Sequence, residues 1–207
     1  MNLKERFSGI CSLFTNDLKL TENLWAEIEK KYAESGRHYH NLGHLDNMST
    51  ELENVRNKIT CFTSVSFSIF YHDAIYNSTS KSNEEKSAEF AIKHLQKLGT
   101  DLRFREKVSE QILATKLHER SHDNDINYLL DADLSILGAG PDDYLAYTQK
   151  IRKEYSIYPD LLYKPGRKKV LQHFLDSESI FKTNYFIENY EVQARKNIRA
   201  EIESLHF

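Results

Sequence analysis

Histidine and aspartate residues recur along this chain at spacings that suit a divalent metal ion. His72 and Asp73 are adjacent, at the end of an apolar run that begins at Ser68. Neutral imidazole and carboxylate are both good ligands for divalent cations. Because neighbours on a helix diverge by about 100°, two adjacent ligands reach one ion best where a helix ends. The pair therefore predicts a metal site at a helix terminus, although a hydrogen-bonded His–Asp pair is the commoner explanation for such a dipeptide alone.

Three further histidines could complete such a site. His40 and His44 are four residues apart, so on a continuous helix they share a face. That spacing suits two ligands, or one ligand and one substrate contact, and hydrogen-bonded structural histidines explain it as well. His118 follows an amphipathic helix, where the helix dipole favours histidine without any function. Each histidine is therefore a candidate metal ligand, and the case for it depends on the other residues of the set.

Two carboxylates interrupt a leucine-rich helical segment. Asp131 and Asp133 lie between Leu129 and Gly138. Asp is a poor residue inside a helix, and a leucine-rich segment is not a surface context. Since the two lie about 200° apart around the helix axis, at most one should point at a given ion. The other should cap, pair with a base or face solvent.

Other charged residues are candidates for chemistry around the ion. Glu84 or Glu85 could be a catalytic carboxylate. Ser82 and Glu85 also fit a helix capping box, which explains Glu85 better than Glu84. Most Lys and Arg residues are expected on solvated faces. Arg152 and Arg167, beside tyrosines and a loop, are the predicted anion contacts.

Composition predicts the kind of scaffold that positions these residues. The chain has 207 residues, with 12 Tyr, 11 Phe and one Trp, but only 7 Gly and 3 Pro. This length and composition favour helices around one core, and few turns. We therefore predict a single all-α domain over residues 1–207, a bundle of about eight to ten helices.

The periodicity of apolar residues indicates where several helices lie. One helix is expected over residues 60–76, ending near the His-Asp pair, and the last over about 186–205. Pro159, Pro165 and Gly166 predict a loop, with a short helix after it.

Charge, apolar runs and cysteines exclude several function classes. The formal net charge is −3, which gives no support for binding nucleic acid or an acidic membrane. The apolar runs are far shorter than the ~20 residues of a membrane helix, and the N-terminus lacks a signal-peptide apolar block. Cys11 and Cys61 are far apart and form no metal motif. We therefore expect reduced thiols in a cytoplasmic protein.

The metal-type residues together resemble the H…HD…D signature of the HD superfamily of metal-dependent phosphohydrolases. His44, the pair His72-Asp73, and Asp133 fall on that signature. Several segments are also similar to a bacterial subgroup usually described as predicted HD-superfamily metal-dependent phosphohydrolases: Tyr39-His40-Asn41, Tyr71 to Tyr76, Asn83-Glu84, Ser87-Ala88, Ala114-Thr115, Leu130 to Gly138 and Ile151 to Tyr155. The resemblance covers about residues 38–181. Ala74-Ile75 stands where other HD branches often have Gly-Lys. The branches that act on cyclic dinucleotides are therefore a poor guide to the function of this chain.

The resemblance implies an HD-type helical bundle with its metal-site core at about residues 38–181. The implied metal ligands are His44, His72, Asp73 and Asp133. The residues expected to take part in catalysis are Asp73, Glu84 and His118, with Asp73 or Glu84 as the base. Those expected to bind substrate are His40, Arg152 and Arg167.

The expected activity is hydrolysis of a phosphate ester or anhydride by a metal-activated water. The cofactor would be a divalent ion, and manganese, iron, magnesium, zinc, nickel and cobalt all suit these ligands. The substrate would be a small phosphorylated molecule, with a nucleotide as the first candidate. The protein could also form a homo-oligomer. One alternative is a nucleotide-sensing or partner-binding domain without turnover. Another is a diiron oxygenase, for which His40, Glu84 and His118 would supply part of a second ligand set.

Overall fold

The regular elements of the computed structural model, which describes residues 1–205, are all helical. In chain order the helices are α1 (Leu3–Cys11), α2 (Leu18–Tyr32), α3 (Leu42–Asn54), α4 (Phe62–Tyr71), α5 (Asn83–Lys97), α6 (Leu102–Ala114), α7 (Asn124–Leu134), α8 (Pro141–Glu154), α9 (Asp160–Asp176), α10 (Asn184–Phe186) and α11 (Val192–Ser204). Short 3₁₀ turns lie at Arg56–Lys58 and Ser135–Gly138. A π-helical turn, Ile187–Glu191, joins α10 to α11. If these last elements count as one, residues 1–205 contain ten α-helical segments, which confirms the predicted all-α fold.

Helix α4 lies at the centre of the core. Every residue from Ser64 to Tyr71 is buried, because α4 packs against α1, α3, α5, α6 and α7. A helix that is apolar on all sides is stable only in such a position. The hydroxyls of Ser64, Ser66 and Ser68 donate to backbone carbonyls three or four residues earlier, so no buried hydroxyl of these serines lacks a partner. α4 therefore carries the residue after it, His72, into the middle of the molecule.

A carboxylate from α7 holds the start of α4. Asp125 accepts hydrogen bonds from the backbone N–H groups of Thr60, at 2.7 Å, and Cys61, at 2.8 Å. These donors have no partner within their own helix, so the carboxylate acts as a cap supplied from another helix. It ties together the two helices that carry His72 and Asp133.

The helix predicted over residues 60–76 ends earlier, at Tyr71. The following backbone is bound by α5 instead of by its own helix. The Ile75 N–H donates to the Ser87 hydroxyl at 3.0 Å, and the Asn77 N–H donates to Asn83 Oδ1 at 3.1 Å. His72 is consequently the C-cap of α4, the helix terminus that the adjacent ligand pair requires.

The predicted loop around Pro165 and Gly166 is wrong. Helix α9 runs through both residues, from Asp160 to Asp176. Proline removes one backbone hydrogen bond, here to the carbonyl of Leu161. Leu161 is 71 % exposed, so that loss falls on the outside of the molecule, and α9 buries only one residue, Leu171.

The predicted capping box at the start of α5 is also wrong. Ser82 occupies the N-cap position, but its side chain accepts no capping hydrogen bond. Its hydroxyl lies 3.3 Å from that of Ser80, and the Glu85 carboxylate pairs with Lys116. Glu85 therefore links α5 to the end of α6.

The composition led to expectations about the cysteine thiols and about membrane-spanning helices. Cys11 and Cys61 are both free, and burial raises the pKa of the Cys11 thiol to about 12. Within residues 1–205, none of the helices combines the length and apolar character needed to cross a bilayer.

Substituting Gly138 should destabilise the fold. A Cβ atom at this position would lie 2.6 Å from the backbone oxygen of Tyr190, in the π-helical turn, and 2.7 Å from its Cβ. Backbone atoms cannot rotate away as a flexible side chain does, so the two segments must separate. We expect Gly138→Ala to lower the free energy of unfolding by about 2–3 kcal/mol in urea titrations.

Gly9 provides the matched control, because a Cβ there would meet nothing within 4 Å. Gly9→Ala, in α1, should leave stability unchanged or raise it by up to about 1 kcal/mol. Equal effects of the two substitutions would contradict the close packing at Gly138.

Candidate metal centre

Side chains from three helices converge at the centre of the molecule. His44 lies in the first turn of α3, His72 caps α4, and Asp133 lies near the end of α7. The two histidine Nε2 atoms are 3.3 Å apart. Asp133 Oδ1 is 3.0 Å from the first of them and 3.8 Å from the second. These donor atoms all lie within 4.8 Å of one another, so the structure brings together three of the four predicted ligands.

The separations in this group fit a shared cation. Ligands about 2.0–2.1 Å from one ion lie about 3.0 Å apart at right angles and about 3.4 Å apart at a tetrahedral angle. The observed separations of 3.0, 3.3 and 3.8 Å fall at and just above these values. His72 Nδ1 donates to the Ile69 carbonyl at 2.9 Å, which turns Nε2 into the cluster, where a bound cation would displace its proton. Outer-shell hydrogen bonds of this kind orient histidine ligands in metal sites.

Asp73 lies at the edge of the same group. Its Oδ2 is 3.2 Å from His72 Nε2 and 3.9 Å from His40 Nε2. Arg37 fixes the backbone there, because its guanidinium donates to the carbonyls of Asp73, at 2.7 Å, and Ala74, at 3.0 Å. Asp73 can therefore complete the ligand set or remain beside it as a free carboxylate.

Burial and pairing set the charges of the cluster. Burial would raise the pKa of the Asp73 carboxyl, but the charges of His72 and His40 hold it below the usual range. Burial has the same effect on Asp133, and the hydrogen bond from His118 outweighs it, so that pKa is also low. Burial lowers the pKa of His72, but Asp73 outweighs it and raises the pKa to about 9. Two half-buried carboxylates side by side thus require positive charge, which either imidazole protons or a cation can supply.

His118 holds the second oxygen of Asp133. Its Nε2 lies 2.9 Å from Asp133 Oδ2, while Oδ1 of the same carboxylate faces the other two histidines. The His118 backbone has φ of 51°, in the left-handed region that residues with a Cβ rarely adopt. Such backbone conformations persist where the surrounding structure determines them, often at functional sites.

Two substitutions of His118 should distinguish the steric cost of its backbone conformation from the contribution of its side chain to stability. His118→Ala and His118→Gly both remove the hydrogen bond to Asp133, but only glycine adopts a positive φ without steric cost. We expect H118G to be more stable than H118A by about 1 kcal/mol in urea unfolding. Equal stability would contradict a left-handed backbone at residue 118.

Glu154 organises the segment that leads to His40. Its Oε1 accepts the backbone N–H groups of His38, Tyr39 and His40 at 2.8, 2.7 and 2.9 Å. Its Oε2 lies 2.6 Å from His40 Nδ1. The His40 ring stacks on Tyr76 with a centroid distance of 4.5 Å. His40 is therefore held with its other nitrogen, Nε2, towards Asp73.

Sequence reasoning missed the role of Glu154, although a signal was present. Tyr144, Tyr147, Ile151 and Glu154 are spaced by three, four and three residues, and all are buried on one face of α8. A carboxylate on an otherwise apolar stripe requires a buried partner. That partner lies more than a hundred residues away, so the sequence alone does not name it.

A cleft of about 770 Å³ opens over the cluster. The predicted site residues that line it are His40, His72, Asp73, Glu84, His118, Asp133 and Arg167. His44 lies behind them and is only 3 % exposed. Glu84, in the first turn of α5, shares the cleft with the cluster.

The two predicted anion-binding arginines have other partners. Arg152 is not among the lining residues of the cleft, and it binds Asp160 at 2.7 Å and the carbonyls of Tyr155 and Tyr158. Arg167 lines the cleft, but both of its contacts with Glu201, at 2.8 and 3.1 Å, are ionic hydrogen bonds. Neither guanidinium presents an uncompensated charge to the cluster.

The adjacent carboxylate, Asp131, points away as the helical geometry requires. It accepts the backbone N–H groups of Lys182 and Thr183 at 2.8 and 2.7 Å. It also accepts the Thr183 hydroxyl at 2.8 Å. Asp131 therefore caps a turn before α10, and of the three aspartates on α7 only Asp133 joins the cluster.

Comparison with known proteins identifies no relative. No protein-family model matches the chain, and no significant match exists among the curated proteins or the solved structures. The HD-superfamily resemblance therefore stays a prediction, and the His–Asp cluster with its cleft carries the functional conclusion.

Proposed function

We propose that this protein is a metal-dependent phosphohydrolase of the HD type that cleaves a small phosphate ester or anhydride, with a nucleotide as the first candidate. One observation carries the proposal: the donor atoms of His44, His72 and Asp133 lie within 4.8 Å of one another beneath a cleft of about 770 Å³. Metal-type donors below an open cleft leave room for both a water molecule and a substrate group.

The ligand set would be two imidazoles and one or two carboxylates. A divalent ion bound there would act as a Lewis acid, lowering the pKa of a bound water and offsetting negative charge on a phosphoryl group. His44, His72 and Asp133 would hold the ion. Asp73 Oδ2 is 3.2 Å from His72 Nε2, so Asp73 would either complete the set or accept a proton from the water. Glu84, on the wall of the cleft, is the second candidate base.

His40 is well placed to contact the phosphoryl group. Burial lowers the pKa of its ring, but Asp73 and Glu154 outweigh that effect and raise the pKa above its ordinary value. Its Nδ1 is bound to Glu154 and its Nε2 lies towards Asp73. A ring N–H held in this place can donate a hydrogen bond to a phosphoryl oxygen beside the ion. His118 supports the site through Asp133.

The alternative of a diiron oxygenase has less support. Such an enzyme needs a second full ligand set, and within residues 1–205 only His44, His72 and Asp133 form a close group of three metal-type donors. His40 is bound by Glu154, and His118 is bound by Asp133. Oxygen consumption by an iron-loaded sample would favour the oxygenase over the hydrolase.

The direct test is a screen for phosphate release with added metals. Protein purified without chelator is supplied in turn with manganese, iron, magnesium, zinc, nickel or cobalt. Phosphate release is then measured from nucleoside mono-, di- and triphosphates and from simple esters. We expect metal-dependent release that a chelator abolishes. Absence of release with every metal, together with saturable nucleotide binding, would overturn the proposal in favour of a sensing domain.

A further inference from the structure

We infer, resting on the proposed phosphohydrolase function, that the substrate is a monophosphate ester of a bulky, largely apolar or aromatic alcohol, and that polyphosphate chains are disfavoured. Two independent features of the cleft lead to this substrate class: the balance of its charges and the character of its wall.

The cations of the cleft are already neutralised. Among the described lining residues, the Lys and Arg side chains are those of Lys116 and Arg167. Lys116 pairs with Glu85 and donates to the Lys81 carbonyl at 2.8 Å. Arg167 forms two bonds with Glu201, a residue with a 7 % exposed side chain. Neither is free to neutralise a chain of phosphates.

The carboxylates of the cleft exceed its free cations. Asp73, Glu84 and Asp133 all line it. A divalent ion balances the two aspartates, which leaves Glu84 as excess negative charge. Each phosphate group beyond the first adds at least about one more negative charge, which no lining lysine or arginine offsets. A single phosphoryl group needs only the ion.

The wall beyond the cluster is apolar and aromatic. Leu117, Leu162 and Val170 line the cleft, although they are 65 %, 61 % and 49 % exposed. Large apolar side chains exposed inside a concave site are typical of ligand contact. The tyrosines that line the same cleft are Tyr39, Tyr76, Tyr147, Tyr155, Tyr158 and Tyr163. Such a wall favours a ring or an aliphatic group over a charged chain.

The volume of the cleft supports the same conclusion. At about 770 Å³ it lies within the range of about 300–1,000 Å³ found for drug-sized ligands, far larger than one phosphate requires. The remaining space is bounded by tyrosines and by α9. The non-phosphate part of the substrate therefore supplies most of the contact area.

Relative rates on four compounds test the substrate class. We expect kcat/KM with the preferred metal to be about tenfold higher for naphthyl phosphate than for phenyl phosphate, because the two leaving groups are of similar acidity and differ mainly in apolar area. We expect AMP to exceed ATP by a similar factor of about ten. A rate for ATP equal to or above that for AMP, or no preference for the naphthyl ester, would overturn the inference.

Two leucines of α9 provide a matched pair of variants. Leu162 lines the cleft, whereas Leu161 is 71 % exposed and is not among the lining residues. Leu162→Lys places a cation on the apolar wall, so kcat/KM for naphthyl phosphate should fall about tenfold and the preference for AMP over ATP should narrow. Leu161→Lys should change neither. Identical behaviour of the two variants would contradict the proposed wall.

These outcomes also separate this inference from the proposed function. Metal-dependent release that prefers triphosphates overturns the substrate class and leaves the phosphohydrolase standing. No release from any compound with any metal overturns both.

Discussion

His72→Ala should leave the protein folded and lower its affinity for a divalent ion by at least about 100-fold, since loss of an outer-shell partner alone costs 10- to 100-fold. His72 Nε2 lies 3.3 Å from His44 Nε2, so the substitution removes one of two nitrogen donors. The backbone of residue 72 remains bonded to Ser68, which preserves the end of α4. Equilibrium dialysis against manganese or zinc measures the affinity, and far-ultraviolet circular dichroism measures the fold. Phosphate release should disappear with the metal.

His122→Ala is the matched control, because His122 is exposed and lies outside the cleft. It should keep the metal stoichiometry and the activity of the unsubstituted protein. Full metal stoichiometry in H72A would show that the proposed ligand set is wrong, since the remaining donors would then hold the ion without it.

Glu154→Ala should lower the free energy of unfolding by about 3–5 kcal/mol, more than any of the other substitutions proposed for this chain. The carboxylate is the acceptor for three backbone N–H groups at 2.7–2.9 Å and for His40, and residue 154 is only 7 % exposed. Alanine leaves these donors without a partner. Urea unfolding measures the loss. Glu29→Ala, at an exposed position of α2, is the control and should change stability by less than about 0.5 kcal/mol.

The contribution of Glu154 should depend on pH in a defined direction. Burial raises the pKa of its carboxyl, but the hydrogen bond and charge of His40 outweigh burial and lower the pKa to about 2. The carboxyl pKa in the unfolded chain is 4.5, so the ionised group contributes its full stabilisation above that pH. Because the pKa is lowered in the folded protein, this stabilisation is lost as the pH falls towards 2. The gap in stability between the unsubstituted protein and E154Q should therefore narrow between pH 5 and pH 3. A constant gap would contradict a depressed pKa.

Local chemistry made much of the candidate centre predictable. His72 and Asp73 follow a segment so apolar that it had to be a buried helix, and the polar stretch after them marked its end. Asp131 and Asp133 lie on opposite sides of one helix, so the single aspartate in the cluster follows from helical geometry. Patterns confined to one helix are readable from sequence, because the helix itself sets the direction of the side chains.

Features that depend on distant partners were not predictable. Arg37 donates hydrogen bonds to backbone carbonyls of the turn after His72. Glu154 accepts hydrogen bonds from the backbone N–H groups of His38 to His40. These bonds join residues remote in the chain, and either side chain alone looks like a surface charge. The continuity of α9 through Pro165 was missed for another reason: the lost hydrogen bond falls on an exposed helix, where it costs less than in a core.

Anomalous diffraction from a manganese-loaded crystal tests the metal centre most directly. We expect one strong peak at about 2.0–2.3 Å from His44 Nε2, His72 Nε2 and Asp133 Oδ1, with Asp73 beside it. A peak held by other side chains, or no peak among these donors at saturating manganese, would contradict the metal centre and with it the proposed hydrolase.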